Sequence, residues 1–361
     1  MCEDLKQERN NVSRLKEELS AADAEVKNLR EELEYHKLSF ARLKQRPELV
    51  KFYTGIDVEC IEFLMHLVGD SAKESCRHTV LDTSNFDGFD TRGRNRKLKP
   101  EDELLLTLCK LRHNFPQDDL GLRFGVNQST VSRIFSCWTE ILEACINEFP
   151  LWPDKASIQA DMPAAFKNLY PDTRVIIDAA EIEIDRSRNP DTQSLTWSEY
   201  KSRNTIKFLL AVTPNGVPCF VSQCYGGRIS DKEIVQRSGF LGKTDEGEER
   251  FEPGDAIMAD KGFNIGDLLE SRKLKLNQPP FLRDKQQFSA EEVVETRRIA
   301  SLRIHVERAI ERVKNYQALH HLSINTCVVA SRLVKVCTFL TTLMPPLVPA
   351  TDSDESLLEM Q

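Results

Sequence analysis

The chain has 361 residues, a length that accommodates about two ordinary domains. Its 57 Asp and Glu residues outnumber its 49 Lys and Arg residues, so the formal net charge is −8 and bulk charge cannot drive nucleic-acid binding. Any contact with DNA must therefore use basic residues that are concentrated locally. No run approaches the ~18 consecutive apolar residues of a membrane helix, and we expect no membrane association.

The N-terminal residues lack the basic flank and apolar run of a signal peptide, which predicts an intracellular protein. None of the ten cysteines forms a C-x-x-C pair, so neither a zinc knuckle nor a thioredoxin-like site is indicated. In a reducing compartment such cysteines are mostly small core residues.

Residues 1–46 follow a heptad repeat that predicts a coiled coil. Position a holds Leu5, Val12, Leu19, Val26, Leu33 and Phe40, and position d holds Glu8, Leu15, Ala22, Leu29, His36 and Leu43. Valine at a with leucine at d favours two parallel strands, so we expect a homodimer through this segment. The alternative is a single amphipathic helix that folds back on the body of the protein.

Residues 47–100 predict a short helical segment followed by a basic linker. Arg46-Pro47 ends the preceding helix, because a residue before proline disfavours the helical conformation. The linker closes with five cations between Thr91 and Lys99. Such a run is typical of a solvated linker, and the alternatives are an arm on the DNA backbone or a nuclear import signal.

Residues 101–148 predict three helices arranged as a helix-turn-helix. The first helix covers Glu101–His113, and the second begins with Pro116, a favoured first helical residue, and ends at Phe124. The third begins at Gln128 after a turn that contains Gly125, and Asn127 is its predicted N-cap.

The start of the third helix is the predicted contact with double-stranded DNA. Ser129, Thr130 and Arg133 lie on its polar face, and side chains at this place in a helix-turn-helix reach base edges in the major groove. The alternative is a structural three-helix bundle, since short polar residues are also good helix starters.

Residues 165–345 predict an α/β domain, and residues 346–361 form an acidic tail that we expect to be disordered. Asp178 lies in an apolar strand, Asp260 ends a later one, and Glu307 lies on a long helix. Carboxylates that face one another are costly unless a positive group joins them. Mg²⁺ or Mn²⁺ ions supply that charge, and a pair of them can stabilise the attacking and leaving oxygens of a phosphodiester.

Several motifs in the second half of the chain resemble those of the DDE superfamily endonucleases, Harbinger-like transposases and host proteins derived from them. They are Thr196-Trp-Ser-Glu-Tyr-Lys201, Asn204-Thr205, Gly226-Gly-Arg-Ile-Ser-Asp231, Ala259-Asp-Lys-Gly-Phe263 and Arg303-Ile-His-Val-Glu-Arg308. The segment Leu104 to Leu142 resembles the helix-turn-helix that precedes the nuclease in that branch. Relatives often carry an N-terminal THAP zinc finger, and this sequence has no Cys and His cluster suited to one.

The resemblance implies an RNase H-like fold with Asp178, Asp260 and Glu307 as catalytic residues and metal ligands. It implies a nuclear enzyme that cleaves DNA with divalent metal, and a partner protein that adds DNA binding is a further expectation. The rival interpretation is a domesticated, catalytically silent DNA-binding factor that keeps the nuclease fold as a scaffold.

The sequence departs from the family at one place, where relatives usually follow the first aspartate with Cys-Thr-Glu. Here Ala179 and Ala180 precede Glu181, and the loss of polar groups beside a metal ligand predicts weakened activity. Asp231 is interpreted equally well as a helix cap or as a site residue. Trp197 and Tyr200 are predicted to pack in the core, and contact with DNA is the alternative.

Overall fold

The computed structural model of the chain describes residues 14–29, 32, 37–69, 97–149, 151–244, 247–282 and 287–348. Most of the predicted basic linker and of the acidic tail lies outside these residues, as do Leu5, Val12 and Leu33 of the heptad repeat. Within the described ranges, no helix has the length and apolar character needed to cross a bilayer.

The N-terminal half of the described chain is helical. Its helices are α1 (residues 14–29), α2 (Phe40–Leu43), α3 (Pro47–Thr54), α4 (Val58–Val68), α5 (Pro100–His113), α6 (Gln117–Phe124), α7 (Gln128–Asn147), α8 (Lys155–Ala160) and α9 (Ala164–Leu169). Pro47 and Pro100 each open a helix, where the missing N–H of proline costs no hydrogen bond.

The heptad interpretation fails at its C-terminal end. Residues 37–39 are not helical, and Ser39 is an extended N-cap before α2. Phe40 and Leu43, assigned to the seam of a coiled coil, are buried in the core of the chain itself. The repeat continues in sequence across this break because both environments demand apolar residues at helical spacing.

Helices α5, α6 and α7 form the predicted helix-turn-helix. Pro116 precedes α6 as its N-cap with an extended backbone, one residue outside the predicted start. Gly125 ends α6 in the left-handed conformation with φ of 68°. Gly121 permits the turn to close, because a Cβ atom there would lie 2.7 Å from the carbonyl oxygen of Val126.

The C-terminal half is an α/β unit. Its strands are β1 (Thr173–Ile184), β2 (Trp197–Ser198), β3 (Arg203–Val212), β4 (Pro218–Val221), β5 (Tyr225–Gly226), β6 (Ala256–Met258), β7 (Lys275–Asn277) and β8 (His321–Leu322). Its helices are α10 (Pro190–Thr196), α11 (Asp231–Arg237), α12 (Gly266–Glu270), α13 (Ala290–Lys314), α14 (Ile324–Cys327) and α15 (Ala330–Thr342), with a 3-10 turn at Gln317–Leu319.

One mixed sheet organises this unit, with β1 at its centre. Strand β3 pairs antiparallel with β1, and β2, β4 and β5 all pair with β3. On the other side of β1, β6 and then β7 continue the sheet in parallel. Strand β8 extends it at the C-terminal end of β1.

The two faces of the sheet bury two different cores. Ile176, Ala180 and Ile182 of β1 point towards a core shared with α13, α15 and the helix-turn-helix. Val175 and Ile177 point to the opposite core, which contains residues of α11 and α12. Since side chains alternate along a strand, Asp178 lies on the same face as Ile176 and Ala180, the face that α13 covers.

Candidate active site

Two of the predicted acidic residues occupy matching places on neighbouring parallel strands. Ile176 of β1 pairs with Met258 of β6, so two residues further along each chain Asp178 lies beside Asp260. Asp260 comes just after β6 ends, where the backbone is released from the sheet. Both carboxylates therefore emerge on the face covered by α13.

Glu307 reaches this place from α13. The helix begins with a capping box in which Ser289 and Glu292 satisfy each other's backbone N–H groups. Val306 and Ile310 are buried against the sheet, whereas the side chain of Glu307 is 58% exposed. A long, well-capped helix thus holds the third carboxylate at the rim of the site.

A cation that the sequence analysis did not identify lies among these carboxylates. Arg303 is only 7% exposed, and its Nη1 lies 3.3 Å from Oδ1 of Asp260. Its Nη2 lies 3.9 Å from Oε1 of Glu307, one turn further along the helix. In the sequence, this cation could have been found only from the spacing of four residues between Arg303 and Glu307. That spacing is not specific, because it is common on surface helices that carry no functional site.

Asp178 is the most buried of the three acids. The pKa of its carboxyl group is raised to about 6, chiefly by burial and in addition by the nearby Glu307 and Asp260. The Arg303 guanidinium and the Ala179 N–H, which donates to Oδ1 of Asp178 at 2.9 Å, oppose this rise in pKa. Asp178 therefore belongs to the same electrostatic cluster as Arg303, Asp260 and Glu307.

The donor set suits a hard divalent cation, because carboxylate oxygens are the ligands that Mg²⁺ and Mn²⁺ prefer. Over the residues that the structure describes, however, no group of three or more His, Cys, Asp or Glu side chains is gathered closely enough to hold a metal ion. The Arg303 guanidinium supplies the positive charge between Asp260 and Glu307.

We expect the stability of the metal-free protein to fall between about pH 4 and about pH 6 through Asp178. In this window the folded state keeps a proton that the unfolded state has released, so the free energy of unfolding decreases as the pH rises. Above about pH 6 the carboxyl is ionised in both states and its cost, about 3 kcal/mol, is constant.

Chemical denaturation in EDTA at several pH values measures this effect as the difference between wild type and Asp178→Asn. The stability of the variant relative to wild type should increase with pH up to about 6 and then stay constant. A difference that does not vary with pH would contradict the assignment.

The two alanines beside Asp178 differ in their environment. Ala180 is 3% exposed and packs in the core on the same face as Asp178, whereas Ala179 lies on the opposite face of β1. Glu181, which follows them, accepts a hydrogen bond from Thr205 Oγ1 at 2.9 Å. The side chain at position 180 is thus the nearer of the two to the acidic cluster.

Asp231 forms an ion pair that is separate from the acidic cluster. Ser230 is the N-cap of α11, and Asp231 is the first residue of the helix, with Oδ1 2.6 Å from Nζ of Lys207. Its Oδ2 lies 3.1 Å from where a Cβ atom on Gly262 would be, so Asp231 borders the loop after Asp260. The ion pair between Asp231 and Lys207 lies on the face of the sheet opposite to the acidic cluster.

The helix-turn-helix presents its predicted contact residues to solvent at one end of α7. Ser129 and Arg133 are exposed, and Thr130 is half-buried. The other end of α7 is fixed to the α/β unit, because Arg332 of α15 pairs with Glu140 at 2.9 Å and with Glu143 at 2.8 Å. The two parts of the chain share one core, so the orientation of α7 relative to the acidic cluster is fixed.

The prediction that Trp197 and Tyr200 pack in the core is wrong. Trp197 is 42% exposed and Tyr200 is 85% exposed. Trp197 begins the short edge strand β2, and Tyr200 lies in the turn that leads to β3. Aromatic residues usually indicate burial, and only the position of this segment at the edge of the sheet places them in solvent.

Two segments of the chain match known protein families. Residues 177–342 match the DDE superfamily endonuclease family. Residues 96–148 match the helix-turn-helix of DDE superfamily endonuclease, and this match precedes the endonuclease match as the sequence motifs predicted. No curated protein and no solved structure is significantly similar to the chain.

Proposed function

Because the chain carries a DDE superfamily endonuclease domain preceded by the helix-turn-helix that accompanies it, we propose that it is a metal-dependent nuclease. Its substrate is double-stranded DNA, and the reaction is cleavage of a phosphodiester bond by Asp178, Asp260 and Glu307. The observation that carries the proposal is the convergence of these carboxylates, from two adjacent parallel strands and the long helix, on one electrostatic cluster.

The arrangement of the sheet supports an RNase H-like catalytic domain. The strands β4, β3, β1, β6 and β7 lie side by side, with the first two antiparallel to their neighbours and the last two parallel to β1. The first aspartate lies on the central strand, the second follows the adjacent parallel strand, and the glutamate lies on a later helix. This is the order that the resemblance implies for the three acids.

The residues of the cluster divide the work of the reaction. Asp178, Asp260 and Glu307 would hold divalent ions, which supply an activated water or 3′-hydroxyl and stabilise the leaving oxygen. Arg303 neutralises the carboxylates before metal arrives, and it becomes available to a phosphate of the DNA when its carboxylate partners take up metal. Asp178, the most buried acid, must lose its proton before it can act as a ligand.

A silent DNA-binding factor is the second candidate function, and two observations favour it. Arg303 already satisfies Asp260 and Glu307 as an ion-pair network, and such networks also occur at sites that bind no metal. The alanines at positions 179 and 180 have no polar side chain with which to orient a metal ligand. In this case α7 would bind DNA while the α/β unit serves as its scaffold.

Nicking of supercoiled plasmid by the purified full chain distinguishes the two functions. With Mg²⁺ or Mn²⁺ the enzyme is expected to produce nicked circles, and with EDTA or Ca²⁺ it should not. DNA binding without nicking under any of these ions would favour the silent factor.

Arg133→Ala is expected to weaken binding to duplex DNA about 5- to 100-fold without changing the melting temperature. The side chain is exposed, so its loss removes a contact with DNA and no packing. Fluorescence anisotropy at two salt concentrations measures the effect, with Arg237→Ala on α11 as the matched control. Equal affinity and equal salt dependence for Arg133→Ala and wild type would remove α7 from the contact.

We also propose that α1 joins two copies of the chain. Every residue from 14 to 29 is exposed, including the apolar Leu15, Leu19, Val26 and Leu29 at heptad spacing. Leu15→Glu with Leu29→Glu should convert a dimer to a monomer in sedimentation at micromolar concentration, whereas Lys16→Ala should not. A monomeric wild type would refute the dimer.

Nuclear localisation and a partner that adds DNA binding remain parts of the same proposal. The nucleus is the compartment in which a nuclease meets duplex DNA. One helix-turn-helix makes few base contacts, and a partner protein would add more.

A further inference from the structure

An exposed aromatic and basic surface lies at the edge of the sheet, outside the acidic cluster. We call it the aromatic platform and define it by Trp197, Tyr200, Lys201 and Arg228. Trp197 and Arg228 line one open cavity, and Nζ of Lys201 lies 5.0 Å from the centre of the Tyr200 ring. Two large aromatic side chains in solvent next to cations are unusual, because such rings are normally buried.

The platform is held firmly by the strands beneath it. Nδ2 of the buried Asn204 donates to the Gln193 carbonyl at 2.9 Å and to Thr196 Oγ1 at 2.8 Å, which fixes the end of α10. Gly227 allows the chain to pass close by, because a Cβ atom there would lie 2.1 Å from Thr205 Oγ1. These contacts tie the backbone that precedes Trp197 to strand β3.

The charge around the platform is opposite in sign to that of the chain. Arg186, Arg188, Lys201 and Arg228 are exposed here against three exposed acids, Asp185, Asp191 and Glu199, in a chain whose net charge is −8. The guanidinium of Arg228 is positioned by a 3.0 Å hydrogen bond to Ser194 Oγ. A polyanion with flat apolar groups matches this combination of rings and cations.

A second cavity, of mixed charge, borders the platform. Lys314 at the end of α13 and Lys201 line it, together with the carboxylates Glu181 and Glu183. Burial and the neighbouring Lys201 lower the pKa of Lys314, while Glu181 and Asp178 oppose this shift. Lys314 is thus within electrostatic reach of both Lys201 and Asp178.

The distance between the aromatic platform and the acidic cluster follows from the strand register. Asp178 pairs with Leu210 of β3, and Trp197 pairs with Asn204, six residues earlier on the same strand. At about 3.3 Å per residue the platform lies roughly 20 Å from the acidic cluster along the strand direction. A few nucleotides of one extended strand cover this distance.

We propose that the aromatic platform binds a single-stranded DNA segment that flanks the cleaved phosphodiester, with unpaired bases stacked on Trp197 and Tyr200. This inference rests on the proposed nuclease function. In a duplex the base faces are covered by their neighbours, so exposed rings select unpaired bases, and stacking tolerates any sequence. Lys314 and Lys201 would follow the backbone of the same strand from the acidic cluster to the rings.

Binding of a labelled oligothymidylate of about 12 nucleotides to the full chain in EDTA tests the proposal without any cleavage. Trp197→Ala and Tyr200→Ala should each weaken this binding about 5- to 150-fold, and Trp197→Phe should restore most of it. Phe52→Ala removes an equally exposed ring far along the sequence and should have no effect. Both platform side chains are exposed, so the variants should keep the wild-type melting temperature.

Tryptophan fluorescence provides a second readout that a structural role would not change. Of the three tryptophans, Trp138 is fully buried and Trp152 is half-buried against Phe240 and Phe251, so the quenching that Trp197 contributes should vanish in Trp197→Phe although binding persists. Wild-type affinity in both alanine variants, or an equal loss in Phe52→Ala, would overturn the proposal. So would a wild type that binds duplex DNA but not the oligonucleotide, as expected if the platform serves a protein partner instead.

The two proposals fail in different ways. A chain that nicks plasmid but binds the oligonucleotide without help from Trp197 refutes the platform alone. A chain that never nicks but requires Trp197 for the oligonucleotide refutes the nuclease and leaves the platform as a single-strand contact.

Discussion

Asp178→Asn and Asp260→Asn are each expected to abolish strand cleavage and the rise in melting temperature that Mn²⁺ produces. Each substitution keeps the size of the side chain and removes a negatively charged ligand. Loss of an outer-shell partner already costs about 10- to 100-fold in metal affinity or activity, so loss of a direct ligand should cost more. Stabilisation by mass action disappears with the affinity.

The effect on the metal-free protein should have the opposite sign. At pH 7 the wild type keeps an ionised and mostly buried Asp178 beside two other carboxylates, and Asn removes this cost. Asp178→Asn should therefore be more stable than wild type in EDTA and less stable than wild type in saturating Mn²⁺. Thermal unfolding with and without metal measures both signs, and Asp161→Asn at an exposed position is the control.

Restoring the family residues tests the same site in the other direction. Ala179→Cys with Ala180→Thr should increase nicking if the chain is a weakened nuclease, although the Thr hydroxyl must be accommodated beside the core. If neither wild type nor the restored variant shows cleavage or metal-dependent stabilisation, the silent-factor interpretation replaces the enzyme.

Arg303→Gln is expected to destabilise the metal-free protein and to enlarge the stabilisation by Mn²⁺. Without Arg303, Asp260 and Glu307 lose this ion-pair partner, and the smaller amide leaves unfilled space where the guanidinium is buried. Because the side chains of Asp260 and Glu307 are more than half exposed, solvent reduces the loss to about 1–3 kcal/mol. Added metal then replaces the missing charge.

Urea unfolding in EDTA and titration with Mn²⁺ measure these two changes, and Arg297→Gln on the exposed side of the same helix is the control. The competition between Arg303 and metal predicts tighter Mn²⁺ binding in the variant, with activity lost if Arg303 also holds the DNA phosphate. An unchanged metal-free stability, or weaker Mn²⁺ binding by Arg303→Gln, would show that Arg303 does not neutralise the acids.

Features that depend on local pattern could be predicted from the amino-acid sequence. Gly125 and Asn127 mark the turn and start of α7 because few residues adopt a left-handed backbone or an N-cap conformation. Ser289 begins α13 through a capping box, whose partners are three residues apart. The family motifs likewise indicated the endonuclease domain from residues close together in the chain.

Which side chains meet and which remain exposed depends on how the helices and strands pack. The apolar spacing of Phe40 and Leu43 suits both a dimer seam and the core of the chain itself. In the structure both side chains are buried in that core. Trp197 is exposed because its strand is at the edge of the sheet, a place set by pairing with β3. Arg303 meets Asp260 only because α13 packs on the sheet across β1 and β3. The two residues are 43 positions apart in sequence, beyond the reach of any local spacing rule.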